Sequence, residues 1–210
     1  MVRKINKQQT PGSLTLFKQK SPNAMYGNLS PKLRQDIREA CTAEQFYLCA
    51  YCCKQITGKN IDTLNEHIEP QDLAPNRTLD FNNIIASCTT RDQCDFTHKN
   101  QRLPLTPLMD ECETELVFKI SGRVEGLTER ARESIRILNL GDSEQNNRAL
   151  IEKRKQLISA LLINSGLEPH DLVEDDDLLN LVIDDLSQPI NGKLQAYAPV
   201  VVNILKNWLA

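Results

Sequence analysis

CAYC at residues 49–52 opens the stretch of sequence that decides the fold, and EHIEP (66–70), FNNIIASC (81–88) and CDFTHKN (94–100) continue it. The block from 49 to 100 holds five of the seven cysteines and two of the three histidines of the 210-residue chain. Thiolates and imidazoles are the usual protein ligands of zinc. Their concentration in about a quarter of the chain predicts a metal-dependent site.

The four best-spaced cysteines predict a structural zinc site. Cys49 and Cys52 form a CxxC pair, which on a tight turn presents two thiolates to one tetrahedral ion. Cys88 and Cys94 supply a second, more widely spaced pair. Four thiolates complete the tetrahedron and leave no open position for catalysis. Cys53 is an alternative ligand beside Cys52, although the spacing to Cys49 favours Cys52.

Between the two cysteine pairs, a carboxylate next to an imidazole suits a second, catalytic metal centre. Glu66 can hold a hard divalent cation such as Mg²⁺ or Mn²⁺, and His67 can deprotonate an attacking water. The cation would neutralise a scissile phosphate and help the leaving oxygen depart. Asn83 and His98 stand where an amide could orient the imidazole and a second imidazole could complete the metal site.

Around this block the sequence predicts mostly helices. Residues 1–29 form a basic arm, which we expect to be extended because its turn signals lack hydrophobic periodicity. Strands are predicted at 62–70 and 115–122, and helices at 31–47, 95–99, 127–140, 144–162, 177–186 and 193–209. We expect Asp142 or Ser143 to cap the helix at 144–162. The predicted domains are the arm at 1–29, a core at 30–165, and an acidic C-terminal tail at 166–210 with a helical docking segment.

The net charge of −3 hides a marked asymmetry. The first 38 residues carry eight Lys or Arg and one acid, whereas residues 166–191 carry eight acids and no Lys or Arg. A basic arm can follow a phosphate backbone, and an acidic tail fits a protein partner better than a nucleic acid; both could also be solvated surface. The last helix, with Trp208, offers a docking face unless it packs on its own chain.

The chain shows no membrane or export signal. No apolar run approaches the roughly 20 residues needed to span a bilayer, and the N-terminus lacks the apolar region of a signal peptide. We therefore expect a cytoplasmic protein without membrane contact. Thiols stay reduced in that compartment, which favours metal binding over disulfides.

Taken together, the order of these motifs resembles the HNH nuclease module, a ββα-metal fold. LCAYC, NEHIEPQ, LDFNNIIASC, HKN and the following P-x-x-P…CE-x-x-x-x-F-x-x-SG-x-V are similar to the PtuB-like nucleases of Septu anti-phage systems and of some retron defence systems. The similarity runs from about Arg3 to Leu162. It implies an α+β, mostly helical fold in which a zinc-braced ββα-metal (HNH) core carries flanking helices.

Within this family pattern, the resemblance makes His67 the general base, Glu66 a metal ligand and Asn83 the positioning amide. HNH proteins usually place His or Asn directly after the fourth cysteine, but here that position is Asp95. His98 follows Cys94 by four residues. Either His98 takes the role of third signature residue and cation ligand, or Asp95 binds the cation through oxygen; we favour His98.

The resemblance also implies a metal-dependent endonuclease that acts in anti-phage defence. Its partner would be a PtuA-like ATPase, joined in retron systems by a reverse transcriptase and its RNA–DNA product. The chain itself has no GxxxxGK[ST] motif for ATP. The expected substrate is DNA, with tRNA as an alternative. A catalytically inactive zinc-binding adaptor module is the alternative function.

Overall fold

Seven α-helices and two small antiparallel sheets make up the described part of the computed structural model, residues 2–164 and 176–209. The helices are α1 (Gly12–Lys20), α2 (Pro31–Glu44), α3 (Asp95–His98), α4 (Glu129–Leu138), α5 (Arg148–Asn164), α6 (Asp176–Ser187) and α7 (Ala198–Lys206). The strands are β1 (Thr63–His67), β2 (Ile84–Cys88), β3 (Leu116–Phe118) and β4 (Val124–Gly126). The predicted α+β, mostly helical class is confirmed.

The central sheet pairs β1 with β2 in antiparallel register, with Glu66 opposite Ile85 and His67 opposite Ile84. Every residue of β2 is buried, as its run of β-branched and small side chains favours. A short loop and helix α3 follow β2, so the block is built as strand, strand, helix. The strand and the short helix predicted within 62–70 and 95–99 are confirmed.

Helix α2 packs on this sheet and fixes where it lies. Its start is dictated by Ser30, whose Oγ accepts a hydrogen bond from the amide of Leu33 at 3.3 Å, and by a proline in the first turn. Beyond its end, the Gln45 side chain pairs with both backbone groups of Ala86, accepting from N at 2.7 Å and donating to O at 2.8 Å. The middle of β2 is therefore held from the side opposite β1.

Contrary to the predicted extended arm, the N-terminal segment contains helix α1 and packs on the core. Val2, Ile5 and Leu14 are buried. Nζ of Lys7 donates to the carbonyl of Ile84 at 2.6 Å and forms an ion pair with Glu44. The prediction fails because α1 buries only one of its nine residues, so its sequence carries no hydrophobic stripe.

Helix α4 packs on α3 and on strand β4 of the β3–β4 hairpin. The predicted strand at 115–122 is wrong in extent, because the chain turns at Gly122 (φ 83°) and returns as β4. The predicted cap of α5 at Asp142 or Ser143 is also wrong. Oδ1 of Asn147 accepts from the amide of Leu150 at 3.2 Å instead, and α5 begins one residue after that cap.

The C-terminal helix packs on its own chain rather than offering a free docking face. Its apolar side chains Val200, Val201, Ile204 and Leu205 are buried. Asn203 ties it to β3, donating to the carbonyl of Leu116 at 2.9 Å and accepting from the amide of Phe118 at 2.8 Å. The predicted domain boundary at 166 and the acidic residues up to 175 lie outside the described residues.

Among the helices that the structure describes, none combines the length and the apolar character needed to cross a membrane.

Candidate metal and catalytic site

Four buried cysteines converge at the end of the central sheet. Cys49 and Cys52 lie on the turn before β1, Cys88 ends β2 and Cys94 precedes α3; their Sγ atoms all lie within 4.8 Å of one another. The Sγ distances are 3.9 Å for Cys49–Cys94 and 3.8 Å for Cys52–Cys88. A zinc–sulfur bond of about 2.3 Å gives a tetrahedral S···S edge of about 3.8 Å. The cluster can therefore hold a zinc ion, and among the described residues it includes Cys52 rather than Cys53.

Nearby N–H groups point at these sulfurs. The backbone amide of Cys88 donates to Sγ of Cys49 at 3.3 Å, and Nε2 of Gln93 lies 3.7 Å from Sγ of Cys94. Hydrogen bonds with Cys49 and then Cys52 hold the pKa of Cys88 below its usual range, whereas burial raises the pKa of Cys94 well above its own. Buried thiolates repel one another, so a bound cation is what allows all four to ionise.

The Glu66 carboxylate, on β1, is the meeting point of a second group. Oε1 accepts a hydrogen bond from the Tyr51 hydroxyl at 3.1 Å and contacts Nδ1 of His98, and Oε2 accepts from the amide of His67 at 3.2 Å. The Asp95 carboxyl also lies within hydrogen-bonding reach of Glu66. Both residues considered for the third signature position, Asp95 and His98, thus reach the same carboxylate.

Electrostatics at Glu66 favour a shared positive charge. Burial raises the pKa of Glu66, and burial together with the hydrogen bond to Glu66 raises the pKa of Asp95 to about 8. Burial also lowers the pKa of His98, whose Nε2 is buried without a hydrogen-bond partner in the described part of the chain. Two adjacent carboxyls need either a proton or a divalent cation between them. Among the described residues, the group whose ligand atoms converge closely enough to hold a metal ion is the four cysteines.

The imidazole of His67 lies at the end of β1, one residue after Glu66. Its Nε2 lies 3.0 Å from the carbonyl oxygen of Thr78. A carbonyl can only accept, so Nε2 carries the proton and Nδ1 keeps the lone pair. Burial lowers the pKa of His67, which keeps the ring neutral near pH 7. The Tyr26 ring stands edge-on to it at 4.9 Å between centroids.

Asn83 acts on the backbone and not on the imidazole. Its Oδ1 accepts from the amide of Glu69 at 2.8 Å, and its Nδ2 donates to the carbonyl of Glu69 at 3.0 Å and of Arg77 at 3.4 Å. Asn83 therefore closes the loop between β1 and β2. That loop carries Thr78, whose carbonyl orients His67. The expected direct contact between amide and imidazole is replaced by this backbone contact.

Two contacts of this site were missed in the sequence, the Tyr51 hydroxyl and the Thr78 carbonyl. The signal that the sequence offers for Tyr51 is its position between the two cysteines of the CxxC pair. Every residue has a backbone carbonyl, so the sequence carries no signal for the contact made by Thr78.

A scan against protein-family models finds no match for this chain, and a search of curated proteins finds none either. The fold and the site define an α+β protein with a four-cysteine cluster that can hold zinc, and with the buried side chains of Glu66, His67 and His98 on the neighbouring elements.

Proposed function

We propose that this chain is a metal-dependent HNH endonuclease of the PtuB type, which hydrolyses phosphodiester bonds in nucleic acid. The observation that carries the proposal is the convergence of Asp95 and His98 on Glu66, which the neutral His67 directly follows on β1. The order β1, β2, α3 is the order that a ββα-metal fold needs, which supports the proposal. The cysteine cluster braces this unit at the end of β2.

Each side chain has a role in this reaction. Glu66 and His98, with Asp95, would hold Mg²⁺ or Mn²⁺, which when bound neutralises the scissile phosphate and stabilises the leaving oxygen. Nδ1 of His67 takes a proton from the water whose oxygen attacks phosphorus, and the bond from phosphorus to the leaving sugar oxygen breaks. The Thr78 carbonyl keeps the proton on Nε2, so Nδ1 stays available as the base.

The substrate would reach this group along helix α3. Asp95 is its partly exposed member, and Lys99 and Arg102 are exposed just beyond the helix. Neither cation forms an ion pair with any residue that the structure describes, so both can contact phosphates. Lys4 and Lys7 of the arm, in contrast, are paired with Asp110 and Glu44. DNA is the proposed substrate and tRNA the alternative.

The motif resemblance supplies the biological setting of this proposal. The chain would act in the cytoplasm of a bacterium as the nuclease of an anti-phage system. A PtuA-like ATPase would control it, joined in retron systems by a reverse transcriptase and its RNA–DNA product.

A zinc-binding adaptor without catalysis is the second candidate, and one observation favours it. Glu66, His67 and His98 are only 5%, 5% and 0% exposed. Water and phosphate reach them only if neighbouring side chains move. An adaptor would need the zinc-braced fold but not this access.

A cleavage assay with a matched pair of variants tests the proposal. Glu66→Gln removes the charge of the cation ligand, and Glu69→Gln makes the same change at an exposed acid three residues along the chain. Duplex DNA and tRNA are tested with and without Mg²⁺, alone and with a co-expressed PtuA-like ATPase. Magnesium-dependent cutting that Glu66→Gln abolishes and Glu69→Gln retains supports the nuclease. Absence of cutting in every arm, with zinc and fold intact, favours the adaptor.

A further inference from the structure

Tyr51 joins the cysteine cluster to the candidate catalytic carboxylate. It stands between two of the clustered cysteines, Cys49 and Cys52, and is 0% exposed. Its hydroxyl donates to Oε1 of Glu66 at 3.1 Å, and its ring lies edge-on to His98 at 6.2 Å between centroids. One side chain thus contacts two of the three groups that the proposed function assigns to the divalent cation.

The turn that carries Tyr51 is fixed by backbone hydrogen bonds. The amide of Cys49 donates to the carbonyl of Lys54 at 2.8 Å, and the amide of Cys53 donates to the carbonyl of Cys49 at 3.1 Å. The amide of Ala50 donates to the carbonyl of Ala86 in β2 at 3.1 Å. With two of its residues in the cysteine cluster, this turn cannot shift Tyr51 without disturbing the cluster.

A second residue repeats this arrangement from the other side. Asp95 directly follows Cys94 of the cluster, and its carboxyl lies within hydrogen-bonding reach of Glu66. Tyr51 and Asp95 each adjoin a cysteine of the cluster in sequence, and both interact with the Glu66 carboxylate. The cysteine cluster and the Glu66 group are one connected unit.

We infer that Tyr51 is a positioning residue for the divalent cation, because its hydroxyl holds the Glu66 carboxylate in one orientation. This inference rests on the proposed function. A glutamate side chain has several rotatable bonds, and a ligand that is free to rotate loses conformational entropy when it binds metal. Hydrogen bonds from outside the ligand shell remove that loss, and their deletion typically weakens metal affinity about 10–100-fold. The Tyr51 hydroxyl on Oε1 and the His67 amide on Oε2 leave neither oxygen of Glu66 free to swing.

Tyr51→Phe tests the inference, because it removes one oxygen atom and keeps the ring that fills the core. Tyr197→Phe is the matched control, the same change at a tyrosine that is 3% exposed and caps α7. Mn²⁺ affinity is measured by the electron paramagnetic resonance signal of free Mn²⁺, alongside zinc per chain and the melting temperature. We expect about 10-fold weaker Mn²⁺ binding or more in Tyr51→Phe, with unchanged zinc, and wild-type affinity in Tyr197→Phe.

Cleavage gives an independent readout of the same variants. The Mg²⁺ concentration for half-maximal rate should rise in Tyr51→Phe while KM for the nucleic acid stays constant, a split that loss of packing would not produce.

Three results would overturn the inference, and they are distinguishable. Equal Mn²⁺ affinity in wild type and Tyr51→Phe removes the role of the hydroxyl but leaves the proposed nuclease standing. Loss of zinc or of the folded state in Tyr51→Phe assigns the hydroxyl to the fold. A wild-type chain that binds no Mn²⁺ at all removes the cation site itself, and the proposed function with it.

Discussion

Asn83→Ala tests whether this amide braces the loop between β1 and β2. Asn83 is 1% exposed and makes hydrogen bonds of 2.8 and 3.0 Å to the backbone of Glu69, with a third of 3.4 Å to Arg77. Each of the two short bonds contributes roughly 1 kcal/mol net, and the third is too long to add much. We expect Asn83→Ala to lower the free energy of unfolding by about 2 kcal/mol.

The adjacent residue supplies the control. Asn82 is exposed, and its backbone amide, unaffected by substitution, donates to Asp80 at 3.0 Å. Asn82→Ala should therefore stay within about 0.5 kcal/mol of wild type. Urea unfolding of both variants, with zinc present and an unchanged m-value, measures the difference. The bracing role of Asn83 is refuted if the two variants are equally stable.

Three further predictions concern the cysteine cluster, the ion pair of the N-terminal arm and the imidazole of His67. Cys88→Ser should lose zinc and unfold, because structural zinc contributes folding free energy directly. Cys112→Ser, at a buried cysteine outside the cluster, should keep its zinc. Equal zinc content in the two variants would contradict the four-thiolate site. Lys7→Met leaves the buried carboxylate of Glu44 without its ion-pair partner and should lower the free energy of unfolding by about 3–5 kcal/mol. In Lys4→Met the partner that is left, Asp110, is exposed, so the loss should be under about 1 kcal/mol. Thermal or urea unfolding measures both variants, and similar losses would mean that the arm does not pack as described. Burial lowers the pKa of His67, and protonation of this imidazole blocks the base. As the pH is lowered, the cleavage rate at saturating Mg²⁺ should therefore fall only below the ordinary histidine pKa of about 6.5. A rate that already falls above a pH of about 6.5 would argue against His67 as the base.

Local sequence signals predicted the elements that build the site. CxxC spacing and the later cysteines indicated a thiolate cluster, and the Ser30–Pro31 start fixed helix α2. These signals work because cap chemistry and ligand type are properties of the residues themselves.

What the sequence could not reveal depends on contacts between distant segments. Arg154 is 0% exposed on the buried stripe of α5, where hydrophobic periodicity leads one to expect an apolar side chain. Its guanidinium donates to the carbonyl of Leu140 at 2.7 Å and lies 4.8 Å from the Phe118 ring centre, neither of which leaves a mark in the local pattern. Helix α1 lacks a recognisable stripe for the related reason that Leu14 is its one fully buried residue. Burial in these places is decided by tertiary packing.

Single-turnover cleavage by wild type and His67→Ala shows whether His67 is the base of a metal-dependent nuclease. Both proteins would be compared at saturating Mg²⁺, with equal zinc content and equal melting temperatures. We expect a rate at least about 100-fold lower in His67→Ala, because a general base is lost. A His67→Ala chain that cuts at the wild-type rate would contradict this role of His67.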